Sequence, residues 1–148
     1  MYNGLLHLHN ILRWVVLILL LVSMFQAFAA KNSSAGGLRK TSLFLLISAH
    51  IQFLIGLYQW FAGEFGLNLI QDSGMAVVMK NSALRFWAVE HIVGMLIAII
   101  LITIARGKVK RSAFGAAAWL YVIALILILA SVPWPFRDGV ARPWFPGS

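Results

Sequence analysis

Four apolar runs, Leu5 to Ala30, Thr41 to Ala62, Phe86 to Ala105 and Ala113 to Val132, set the terms on which this chain can fold. Each is about 20 residues or longer, and at ~1.5 Å rise per residue each reaches across a hydrocarbon core of ~30 Å. The expected fold is all-α: one domain over residues 1–148, built as a bundle of four transmembrane helices. Composition agrees, since 61% of the residues are apolar and 11% charged, and mean hydropathy is +0.89. A soluble domain of this length carries more polar surface. The first run is expected to be a retained helix and not a cleaved leader, because Met1 to Gly4 has no positive charge and Arg13 interrupts the apolar stretch.

Charge placement orients the helices. Net charge is +8, but the cations fall in the short gaps between runs, which is a topology signal and not a nucleic-acid-binding stripe. The gap after the first run carries Lys31, Arg39 and Lys40, and the gap after the third carries Arg106, Lys108, Lys110 and Arg111; neither holds an acid. The positive-inside bias then puts both gaps in the cytosol, with both termini and the 63–85 connection on the outer, periplasmic side of a bacterial inner membrane. Met75 to Met79 in that connection reads as an interfacial patch, with Asn81 or Ser82 the helix cap that follows. The tail, 133–148, is interrupted by prolines and rich in Trp and Phe, which suits an interfacial anchor.

No cysteine is present, so disulfides and thiolate metal sites are excluded. No hydrolase or transferase signature occurs either, and the chain is not expected to be an enzyme by itself. Its chemistry-bearing residues are Glu90 and His91, adjacent within the third run, together with His7, His9, Arg13 and His50. Ionisable groups inside a membrane are costly unless received by partners, which makes them candidate site residues.

Helix rise predicts which of these meet. Counting ~1.5 Å per residue from Ala30, Thr41 and Ala105 puts His50 at ~14 Å, His91 at ~21 Å, Glu90 at ~23 Å, Arg13 at ~25 Å, Gln59 at ~27 Å and His9 at ~32 Å. Arg13 and Glu90 share a layer and are expected to form an ion pair, which either serves the site or fixes helix register. Inward histidines on facing membrane helices are the arrangement that holds b-type haem. His91 is the leading ligand, His50 its nearer mate by height and His9 the alternate. Gly94, one turn after His91, leaves room for a planar ligand or for another helix. His7 and His9 point to opposite sides of their helix, so at most one faces a given partner, and the plain reading of both is interfacial, solvating the helix end.

Taken together, Leu6-His7-Leu8-His9-Asn10-Ile11-Leu12-Arg13-Trp14, His50-Ile51-Gln52-Phe53-Leu54-Ile55-Gly56, Arg85-Phe86-Trp87-Ala88-Val89-Glu90-His91 with Met95, and Pro133-Trp134-Pro135-Phe136-Arg137 resemble the small four-helix bacterial membrane proteins labelled "cytochrome B". The resemblance covers nearly the whole chain. It implies a single bundle with haem on His9, His50 or His91 and says nothing of substrate. The leading expectation is a haem b electron carrier between a quinol or partner protein and the outer face, with Arg13 and Glu90 tuning its charge. The competing expectation is a haem-free accessory or scaffold subunit of a larger membrane complex. A proton pathway through His50, Glu90 and His91 ranks third, because it calls for a more continuous polar ladder.

Overall fold

The computed structural model describes residues 2–30, 36–63 and 66–131. The elements are α1 (Tyr2–Ala29), α2 (Gly36–Ala62), α3 (Leu67–Ser73), α4 (Met75–Lys80), α5 (Ser82–Arg85), a π-helical turn (Phe86–Glu90), α6 (His91–Lys110) and α7 (Phe114–Ser131), with no strand among the described residues. Four of the helical stretches are long and apolar enough to cross a membrane. The 133–148 tail lies outside the described residues.

At the basic end of the bundle two helices extend past their apolar runs. α2 begins at Gly36, not Thr41, and α6 continues to Lys110, not Ala105. Lys108 and Lys110 occupy the last turn of α6, where cations are favoured by the free carbonyl ends of the helix. The α6–α7 turn is a Schellman closure: Ala113 N–H donates to Lys108 O at 2.8 Å and Ser112 N–H to Val109 O at 3.0 Å. Ser112 sits at φ 61°, a region that disfavours L side chains. Arg39 Nη2 holds it there with a 3.0 Å hydrogen bond to its hydroxyl.

The long helices pack as a square. α1 lies against α2 and α7, and α6 lies against α2 and α7, so α1 and α6 face each other along one diagonal. The core is dominated by small residues at helical spacing, with Ala98, Ile102, Ala105 and Val109 on α6 and Ala117, Ala118, Tyr121 and Ala124 on α7, all fully buried. Small side chains let membrane helices approach closely, which matters where no hydrophobic force drives them together. The outer surface is apolar instead: Phe25, Leu54, Trp119 and Ile126 are each more than 60% exposed, as expected where lipid is the solvent.

The chain between α2 and α6 is mostly short helices. Gly66 packs so closely on Trp60 that an added Cβ would collide with its carbonyl. Gly74 takes φ +83° between α3 and α4, a conformation open to glycine. The patch predicted at Met75 to Met79 forms α4, which buries Val78 and exposes Met75, Val77 and Met79. Asn81 caps α5, its Oδ1 accepting from Ala83 N–H at 3.0 Å and Leu84 N–H at 3.1 Å.

Candidate functional site: a histidine pair across the bundle

The π-helical turn prepares the site. Its wider winding sets residues five apart above one another, and Arg85 Nε meets Glu90 Oε1 at 2.6 Å across it. Arg85 Nη1 also donates to Met79 O at 3.0 Å, tying α4 to the turn. From α2, the Trp60 indole N–H donates to Ala88 O at 2.8 Å. The turn is thereby held on both sides, and the next residue, His91, enters the bundle.

This corrects the expected pairing of Glu90. Its ion pair is with Arg85, on its own helical stretch, and not with Arg13 across the bundle. The side chains of Arg85 and Glu90 are 36% and 45% exposed, whereas Arg13 is 8% exposed with its guanidinium 5.1 Å from the Trp14 ring centre. A carboxylate five residues from an arginine across a π turn is intercepted locally before it can serve a buried partner.

His91 and His9 meet on the α1–α6 diagonal, with ring centroids 6.4 Å apart and planes at 76°. Each ring is independently fixed. His91 Nδ1 lies 2.6 Å from Ser131 O, and since a carbonyl only accepts, Nδ1 carries a proton. The Phe86 ring flanks His91 at 5.8 Å. His9 packs on Gly56 of α2, where a Cβ would come within 3.1 Å of His9 Cε1. Gln52 Nε2 donates to the His9 carbonyl at 2.8 Å. The His9 Nδ1 atom is buried without a hydrogen-bond partner, as are Gln52 Oε1 and Gln59 Nε2. Arg13, one turn from His9 on the same face of α1, brings a positive charge beside the pair.

The remaining predicted residues fall elsewhere. His50 is exposed on the bundle perimeter, its Nδ1 turned back to Leu46 O of its own helix at 2.8 Å. It is not brought to His91. His7 is also exposed. Gly94 serves helix packing: an added Cβ would collide with the Ser131 hydroxyl, so the room beside His91 is filled by α7 and not left for a planar ligand.

Ser131 is the residue that sequence reasoning missed, and a signal for it exists. In a continuing helix its carbonyl would accept from the N–H four residues on, but that residue is Pro135, which has none. The carbonyl is therefore left for another donor, and His91 supplies one.

Together the fold and the pair define an all-helical, multi-pass membrane protein with two imidazoles opposed inside its bundle. Comparison of the chain with models of protein families, with curated proteins and with solved structures finds no match. Chemically, two imidazoles can grip one metal, each nitrogen ~2 Å from it and each ring centre about 1 Å further out, which puts centroids roughly 6 Å apart. No group of three or more His, Cys, Asp or Glu side chains able to hold a metal occurs among the described residues. Such a two-ligand set suits a metal whose other positions are filled by a macrocycle.

Proposed function

We propose that this chain is a small membrane cytochrome in which His9 and His91 would hold a haem b, carrying electrons between a quinol or protein partner and the outer face of a bacterial inner membrane. One observation carries the reading: the 6.4 Å separation of two imidazoles from diagonal helices, the spacing of rings that share a metal. When bound, the iron supplies one-electron redox chemistry. The chain's own residues hold the ligands. The Ser131 carbonyl keeps His91 in the tautomer that presents Nε2, as the outer partners of metal-binding histidines commonly do. Gln52 and Gly56 fix the backbone and ring of His9. The positive charge of Arg13, one turn from His9, would favour the carboxylates of such a group. The basic segments at 36–40 and 106–111 support placing that end in the cytosol.

A haem-free scaffold is favoured by one feature, the filling of the space beside Gly94 by Ser131. The two readings separate in an absorption spectrum of protein purified from haem-replete cells, before and after reduction. The expected result is a Soret band lost in His9→Ala and in His91→Ala and kept in His50→Ala. A featureless parent spectrum, or a band that depends on His50 instead, refutes the His9–His91 assignment.

A further inference from the structure

A second polar cluster lies at the opposite, basic end of the bundle, where all four long helices contribute. Phe28 on α1 meets Trp119 on α7 with ring centroids 5.6 Å apart, and antiparallel helices in that register set Gln26 opposite Tyr121. Gln26 also lies against α2, where a Cβ on Gly37 would be 3.4 Å from its Nε2. On the α2–α6 side, the Trp60 to Ala88 hydrogen bond sets the register. Ser42, eighteen residues before Trp60, then falls opposite Arg106, eighteen residues after Ala88. Tyr121 has both Ser42 and Arg106 as neighbours, and Ser23 lies one turn from Gln26 on α1.

Several polar atoms of the cluster, Arg106 donors among them, have no partner. Ser23 Oγ and Nε and Nη1 of Arg106 are buried with no hydrogen-bond partner, as is the acceptor Gln26 Oε1, while Tyr121 OH faces the Ser42 hydroxyl. Ser23 and Tyr121 are fully buried. The Ser42 hydroxyl donates to Arg39 O of its own helix at 3.1 Å, and its oxygen is left to accept from Tyr121. No Asp or Glu occurs in residues 1–63 or 91–137, which include every residue of the four long helices except those of the π turn and its lead-in. Two nitrogens of the half-buried Arg106 guanidinium are thus withdrawn from solvent without an acceptor, and the carboxylates described, Asp72 and Glu90, belong to the other end. Among the described residues no carboxylate reaches this end to receive Arg106, and an anion from outside the chain would do so.

Its chemistry follows from the donors. Hydroxyls and a guanidinium converging from α1, α6 and α7 suit a compact anion with several acceptor oxygens. Arg106 is four residues from the end of α6, ~6 Å along the axis, close to headgroup level. Arg39, Lys40, Lys108, Lys110 and Arg111 surround that end in sequence and would draw anions toward it.

We propose that this four-helix junction binds a phosphate-bearing anion, taken from an anionic phospholipid headgroup or from solution. The test uses the full chain, delipidated in neutral detergent, and follows its thermal unfolding midpoint with added phosphatidylglycerol, phosphatidylcholine, or inorganic phosphate against chloride at matched ionic strength. A rise with phosphatidylglycerol alone assigns a lipid headgroup, with phosphate alone a soluble anion, and with both the shared chemistry. Arg106→Gln weakens the apparent affinity at least about tenfold, the loss expected of hydrogen bonds to a charged group. Tyr121→Phe, which keeps the ring, weakens it less and serves if the first variant does not fold. Equal midpoints with phosphatidylcholine and phosphatidylglycerol and no response to phosphate overturn the proposal. So does an undiminished response in both variants.

Discussion

Gly94→Ala separates packing from helix propensity, because the two predict opposite signs. In a helix interior, replacing Gly by Ala is worth about 0.5–1 kcal/mol in favour of folding. At this position the new Cβ would collide with the Ser131 hydroxyl and come within 3.1 Å of Ser131 Cβ. Rotating the hydroxyl away relieves the first contact but not the second, so the end of α7 has to move by a few tenths of an ångström. Overpacking of this kind costs about 1–3 kcal/mol. The same residue holds His91 through its carbonyl at 2.6 Å, and disturbing that bond adds about 1 kcal/mol. The net expectation is a loss of about 1–3 kcal/mol, read as a lower midpoint in a mixed-micelle unfolding titration. In a Ser131→Gly background the collision is gone, and Gly94→Ala should be neutral or stabilising, giving a coupling of about 1–3 kcal/mol in the cycle. A parent-like or raised midpoint for Gly94→Ala alone would refute the close α6–α7 contact.

Two further outcomes test the corrected assignments. The Arg85–Glu90 pair is partly exposed, so a double-mutant cycle with Arg85→Ala and Glu90→Gln should give a coupling of about 1 kcal/mol or less that shrinks with salt. The corresponding cycle of Arg13→Met with Glu90→Gln should be additive to within about 0.5 kcal/mol, and a larger coupling there would restore the cross-bundle pair. For His50, the cysteine-free background allows spin labels at single sites. Labels at Ile47→Cys and Leu54→Cys, both exposed, should collide with dissolved oxygen severalfold more than labels at Leu45→Cys and Ala49→Cys, both buried. A reversed pattern would turn the His50 face back toward the bundle.

The helices were legible because the bilayer imposes a length and a composition that few other environments do. Their partners were harder to read. Residues 86 to 105 form an apolar run interrupted by Glu90 and His91, and nothing in that pattern announces the π turn at Phe86–Glu90. That turn rotates Glu90 to an exposed position against Arg85 while His91 goes inward. Depth alone made Arg13 and Glu90 look paired; direction around the helix separated them. The junction at Arg106 was hidden for a different reason, since the apolar run ended at Ala105 and its arginine read as part of a loop.

The choice of histidine pair turned on the same few residues at the helix ends. Measured from Ala105, His91 sits at ~21 Å, nearer to His50 than to His9. The observed end of α6 is Lys110, and α2 starts at Gly36. Recounted at ~1.5 Å per residue from the observed ends Ala29, Gly36 and Lys110, His9 lies at ~30 Å, His50 at ~21 Å and His91 at ~28 Å. The five residues added to α6 raise His91 to the level of His9, and the five added to α2 raise His50 by the same amount while leaving it ~7–9 Å short. Height then agrees with direction, for His9 faces the diagonal and His50 faces lipid. Polar helix ends that snorkel into the interface extend a span without extending its apolar run. A ligand assignment by depth is therefore only as good as the count of basic residues retained in the last turn.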